Sequence, residues 1–137
     1  MGVLDGEVCR KYGCHKCCLE TEMPLTEEDI RRIEALGYRR GQFAVQRDGV
    51  WRLRNLNGKC FFLGDDGLCQ IYEHRPMGCR LYPVIEVDGE CSVDTEFCPY
   101  AHLVSKEELM WACPLVKKLN RMLFKEWAEN YKAESGT

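Results

Sequence analysis

The sequence predicts a small, metal-stabilised α+β domain. Short hairpins and loops surround a cysteine-ligated centre, with an N-terminal helix on one side and a long C-terminal amphipathic helix on the other. Three observations carry this expectation. Ten cysteines occur in 137 residues, four of them in Cys9-x4-Cys14-x2-Cys17-Cys18. Asp-Gly steps at 48–49, 66–67 and 88–89 punctuate short runs of β-type residues. From residue 115 onward, apolar residues recur at helical spacing. The length suits one domain over residues 1–137, with a core at about 9–100 and a helical extension at about 105–133.

The elements follow in chain order. Leu25-Thr-Glu-Glu-Asp-Ile30 starts a helix of about residues 27–36. Thr26 and Asp29 form a capping box, with Leu25 and Ile30 as a hydrophobic staple. Gly37 supplies the left-handed stop, and Tyr38 packs back on Ile33. The segment Phe43–Leu53 is a hairpin turning at Asp48-Gly49, Cys60–Cys69 a second at Asp66-Gly67, and Val84–Cys91 a third at Asp88-Gly89. The acidic turn residues lack the spacing of a calcium-binding loop, and turn chemistry accounts for them. Ser105-Lys-Glu-Glu108 is a capping box opening a helix near Lys106. Pro114 is expected to kink or restart it, with Cys113 at the break. The stripe Val116, Leu119, Leu123, Trp127 and Tyr131 is its core face, and Lys117, Arg121 and Lys125 its solvated edge.

Composition narrows the function. Net charge −3 and a pI near 5.7 argue against nucleic-acid binding. Seven arginines between residues 31 and 54 are a local exception. They read as a solvated face, or as a docking surface for an acidic partner. No apolar run is long enough for membrane insertion. The opening MGVLDGE has no signal-peptide pattern, so the expected compartment is cytoplasmic, where thiols stay reduced. Glycine-rich phosphate loops, nucleophile elbows and H-E-x-x-H pairs are absent, which leans away from an enzyme.

The cysteines therefore carry the chemistry. An extracellular disulfide framework fits poorly, because adjacent Cys17 and Cys18 have Cα atoms about 3.8 Å apart, too close for relaxed disulfide geometry. Cys14-x-x-Cys17 is a metal-knuckle spacing, which lets two thiolates converge while backbone N–H groups approach the sulfurs. Consecutive side chains diverge, so Cys17 and Cys18 can serve different centres. The thiols at 60, 69 and 79 lie on separate turns, so a metal would tie the N-terminal segment to the middle of the chain, and the apo protein should fold poorly. Of His15, His74 and His102, only His15, inside the cluster, reads as a candidate ligand.

At these residues the chain resembles the cysteine-cluster family of zinc- or iron-chelating domains, known by a C-x-x-C-x-x-C-C signature. The family's central segments appear here as Cys60-Phe-Phe-Leu63, Cys69-Gln-Ile-Tyr-Glu-His-Arg-Pro76 and Cys79-Arg-Leu-Tyr-Pro83, with Cys98-Pro99 following. The resemblance covers about residues 9–100 and implies eight metal ligands: Cys9, Cys14, Cys17, Cys18, Cys60, Cys69, Cys79 and Cys98. Cys9 departs from the signature by its four-residue gap. Cys91 and Cys113 have no counterpart in it, and Cys113 reads equally as a ligand or as a buried thiol. Arg75 and Arg80 would flank the centre and balance its negative charge.

Eight thiolates fit two zinc sites, two [4Fe-4S] clusters, or one of each. Irregular thiolate-only ligation and the thiol doublet favour iron–sulfur. So does the resemblance, because the domain also occurs in a flagellin lysine methylase that works through such a cluster. The expected function is a metal-binding module that docks on a larger protein complex, as an oxygen- or redox-responsive regulator. The alternatives are an electron-transfer or methyl-transfer and maturation accessory protein, and a purely structural zinc protein.

Overall fold

Among the described residues six short strands form three two-stranded antiparallel hairpins, each between sequence neighbours, rather than one sheet. The computed structural model describes residue 4, residues 7–14 and residues 16–135. Helix α1 (Glu7–Lys11) leads into a 3₁₀ turn at Lys16–Cys18, then α2 (Glu27–Glu34) and α3 (Arg40–Phe43). Strands β1 (Ala44–Arg47), β2 (Val50–Leu53), β3 (Asn55–Leu56) and β4 (Lys59–Cys60) follow. After a second 3₁₀ turn at Tyr72–His74 come α4 (Met77–Leu81), β5 (Val84–Val87) and β6 (Glu90–Val93). A third 3₁₀ turn at Ala101–Leu103 precedes α5 (Lys106–Ser135). The architecture is α+β with a long C-terminal helix.

Local chemistry explains most of these elements. In α2 the Asp29 N–H donates to Thr26 Oγ1 at 3.0 Å and the Thr26 N–H to Asp29 Oδ2 at 3.1 Å, closing the capping box. Leu25 and Ile30 are both buried beneath it. The helix ends two residues earlier than expected, at Glu34, and Gly37 takes a φ of +105° just beyond. Both central residues of the β1–β2 turn (Asp48, Gly49) and of the β5–β6 turn (Asp88, Gly89) have positive φ, the geometry that matches strand twist.

The middle hairpin is displaced. The Asn57-Gly58 step, also with two positive φ values, joins β3 to β4. The segment 60–69 closes only to an isolated bridge between Leu63 and Cys69. Its second half lacks the β-branched residues that would hold a ladder.

Two further expectations are corrected around α5. Its capping box forms, with the Glu108 N–H donating to Ser105 Oγ at 3.0 Å. The helix then runs without a break through Pro114. The carbonyl that proline leaves without an N–H belongs to Met110, which is 68% exposed, so water can take the lost bond. Cys113 is neither ligand nor free thiol. It is disulfide-bonded to Cys91 of β6, with Cα atoms 5.7 Å apart. Setting disulfides aside was thus wrong for these two cysteines, whose pairing is a tertiary event that spacing does not reveal.

Apolar side chains gather into two clusters. The first holds Leu25, Ile30, Ile33, Phe43, Leu53, Phe62 and Ile71 between α2 and the first two hairpins. The second holds Leu81, Val84, Ala112, Val116 and Leu119 between α4, β5 and α5. Helix α5 packs on the second and, beyond it, crosses the β1–β2 turn. There a Cβ at Gly49 would sit 3.2 Å from both the Trp127 carbonyl oxygen and the Tyr131 nitrogen. No helix is long and apolar enough to cross a membrane.

Candidate metal centre

Each of the eight remaining cysteines is free, and apart from the Cys17–Cys18 doublet each is delivered by its own local device. Cys9 lies in α1, and the Cys14 N–H donates to its carbonyl at 2.7 Å, folding the four-residue gap into a turn. Cys17 and Cys18 lie in the first 3₁₀ turn. Cys60 ends β4 opposite Asn55, Cys69 sits at the isolated bridge with Leu63, and Cys79 is carried by α4. Cys98 follows β6 in a loop pinned at Asp94, whose Oδ2 accepts the Tyr82 hydroxyl at 2.6 Å. The α4 backbone at Gly78 lies against the flexible end of the Met23 side chain.

Packing brings these segments together in two groups. Cys60 is part of the first apolar cluster, and Cys18, Cys69 and Cys79 pack against it. Cys9 and Cys14 lie beside the Cys98 loop. Tyr12 stacks on Tyr100 at 5.1 Å, and the Lys16 ammonium sits 5.0 Å over the Phe97 ring. Cys60 is buried, Cys17 exposed and the other six in between.

The electrostatics follow from this crowding. Burial, reinforced by Cys14, Cys17 and Cys98, pushes Cys9 up to about 11. Burial likewise raises Cys60 to about 11. It raises Cys79 well above the usual thiol range, with Cys60, Cys17 and Cys69 adding repulsion. Cys69 and Cys98 are raised chiefly by burial as well. The doublet divides. Cys18 is driven far up, first by donating its S–H to Cys17 and then by burial. That same bond brings Cys17 down to about 7, with its own backbone N–H and Arg75 helping. At neutral pH Cys17 is therefore the thiol readiest to capture a soft cation, and its neighbours must give up protons to follow.

Among the described residues, one guanidinium acts on four of the eight thiols. The positive charge of Arg75 favours the thiolates of Cys9, Cys17, Cys69 and Cys79. Its guanidinium lies 4.0 Å over the Tyr72 ring, and its Nε donates to the Tyr72 carbonyl at 2.9 Å. Behind it, Arg32 Nη2 donates to the Arg75 carbonyl at 2.8 Å and to Asp29 Oδ1 at 3.0 Å. Asp29 Oδ1 also accepts the Met77 N–H at 3.0 Å, which fixes the start of the helix carrying Cys79. Asp29 and Arg32 thus position the thiol loop. The capping box singled out Asp29, but its partner Met77 lies 48 residues away and is invisible to local pattern. Arg80 is exposed, as are His74 and His102, while His15 lies outside the described residues.

The donor chemistry fits a thiophilic metal: eight free thiols, one cation among them, and an apolar wall behind four of them. Among the described residues no three Cys, His, Asp or Glu side chains are close enough to enclose an ion, so the thiols are neighbours rather than a finished coordination sphere. A bound metal would have to draw them in. Four arginines of the 31–54 stretch are engaged elsewhere, Arg32 with Asp29, Arg40 with Glu27 and Glu34, and Arg47 and Arg52 with Glu22.

No curated protein and no solved structure matches the chain. A family model does match, over residues 8–114, a span that holds all ten cysteines. The chain belongs to the CxxCxxCC family, described as a putative zinc- or iron-chelating domain.

Proposed function

We propose that this chain is a non-enzymatic metal module, holding an iron–sulfur centre of the [4Fe-4S] type on thiols drawn from Cys9, Cys14, Cys17, Cys18, Cys60, Cys69, Cys79 and Cys98. The observation that carries the reading is the gathering of free thiols from separate stretches of chain, four of them, Cys9, Cys17, Cys69 and Cys79, within reach of the Arg75 charge. A thiolate-ligated cluster carries net negative charge, which Arg75 offsets and which backbone N–H groups near Cys60 and Cys69 stabilise. The chain's part is to supply thiolates, balance their charge and exclude water from the Cys60 side. A bound cluster would supply redox chemistry and sensitivity to oxygen.

Docking on a larger complex is the second half of the proposal. Met110, Trp111, Phe124 and Tyr131 are exposed along α5, interspersed with Lys117, Lys118, Arg121 and Lys125. A cationic face with exposed aromatic rings suits a protein partner offering carboxylates around apolar pockets. A methyl-transfer role needs a cofactor pocket. The hollow between α2, α4 and α5 is about 120 Å³, well below the roughly 300 Å³ at which small-molecule sites begin. The competing reading is a structural zinc protein, which the family description favours equally. Anaerobic purification followed by iron, sulfide and zinc analysis decides between them. Iron and sulfide with an air-labile brown absorbance are expected, and stoichiometric zinc alone would replace the cluster with zinc.

A further inference from the structure

We propose that the free thiols make two unequal metal sites. An inner one is built by Cys18, Cys60, Cys69 and Cys79. An open outer one is built by Cys9, Cys14 and Cys98 with exposed Cys17 at its mouth, and there a soft divalent cation such as zinc binds and exchanges. The inference rests on the metal-binding reading above and divides its ligands.

The division starts from packing. The inner four stand on or against the apolar cluster of Ile33, Phe43, Phe62 and Ile71, three of them on β4, the Leu63 bridge and α4. The outer three stand on a five-residue helix, the turn after it and the Cys98 loop. What joins these pieces is the Tyr12–Tyr100 stack, and Tyr12 is itself 54% exposed. One set of thiols is fixed by a core, the other by a surface ring pair.

The doublet is the hinge between them. Cys17 and Cys18 share one 3₁₀ turn and the Cys18 S–H donates to the Cys17 sulfur, so the doublet stands where the two sets of thiols meet. Cys18 goes to the apolar cluster. Cys17 faces solvent, and its charge reaches Cys9 and Cys98 as well as Cys60, Cys69 and Cys79. Four thiolates in a closed shell hold a metal structurally, whereas a centre with an accessible position exchanges ligands. At the outer site an incoming thiol can replace Cys17 first. It releases its proton, its sulfur–metal bond forms as the Cys17–metal bond breaks, and Cys17 takes up a proton. The metal keeps its charge and oxidation state throughout.

The test is zinc release from the full-length protein, loaded anaerobically with zinc alone, to an excess of a chromophoric chelator. Two phases are expected, a fast one from the outer site and a slow one from the inner. Cys98→Ser should abolish the fast phase, leave the slow phase intact and keep the helical circular dichroism of the parent. Cys9→Ser should do the same. A single release phase in the parent, or loss of the slow phase in both Cys9→Ser and Cys98→Ser, overturns the division while leaving metal binding standing. A protein that takes up no zinc and carries no other metal overturns the metal-binding reading itself.

Discussion

The region around α2 and the first two hairpins and the region beneath α5 are held by opposite means. The first packs phenylalanines and isoleucines against four free thiols, with Tyr38, Phe61, Phe62 and Phe43 in mutual contact. The second packs smaller side chains, with Ala112 at its centre, and ties β6 to α5 through Cys91–Cys113. Cysteine is used in both, but differently. Where sulfur must stay available for a ligand, an apolar core holds the backbone. Where the core is thin, sulfur itself makes the cross-link. Cys91 and Cys113 are the two that pair.

The largest test of that contrast is Phe43→Ala. Phe43 is fully buried in the first cluster, and its removal should cost about 4 kcal/mol in urea unfolding. Because α5 packs on the second cluster and also against the first hairpin, tryptophan fluorescence and helical circular dichroism should fall in one transition. Two separated transitions would show that the regions are independent units. Next in size is the double change Cys91→Ser with Cys113→Ser. Opening a loop with a sequence separation of 22 should cost about 3 kcal/mol on chain-entropy grounds. Metal content should be unchanged, and its loss would break the distinction drawn between the two uses of cysteine.

The smallest effect concerns Glu126, where α5 meets the N-terminus of α2. Its Oε1 accepts the Glu27 N–H at 2.7 Å, while its buried Oε2 has no partner. Burial raises its carboxyl above the ordinary 4.5, against the pull of that N–H, and Glu27, Asp29 and Glu129 add repulsion. A carboxyl raised on folding binds its proton more tightly in the native state. Its contribution is therefore fullest below pH 4.5 and is lost as pH rises through the folded value. Glu126→Gln keeps the acceptor and removes the titration. The variant should be slightly more stable than the parent at pH 7 and show a flatter stability profile above pH 4.5, measured by thermal melts across pH. An unchanged profile would mean that Glu126 is solvated in both states.

Legibility followed the range of the interactions. Thr26–Asp29, Ser105–Glu108, Asp48-Gly49 and Asp88-Gly89 act within a few residues, and the elements they define stand where the sequence places them. Asn57-Gly58 is just as local a turn signal, yet the denser run of cysteines and Asp-Gly after it drew the hairpin downstream. No restart occurs at Pro114, because the cost of a helical proline depends on whether water reaches the freed carbonyl, which sequence does not state. For the site, the cysteine pattern marked the chemistry. The partners that position it, Arg32 to the Arg75 carbonyl, Asp29 to Met77 and Tyr12 on Tyr100, lie 43 residues apart or more and emerge only from the fold.

The close approach at Gly49 reaches furthest from the thiols. A residue in the left-handed region, with helix backbone 3.2 Å from where a Cβ would stand, strains every substitution. A saturation survey of the chain should therefore reveal a cold spot for variation at a position that binds nothing. It would be read as functional by anyone scanning for invariance. What it records is a seam, the place where the first hairpin is closed by the last helix, and a side chain there would open the gap between them.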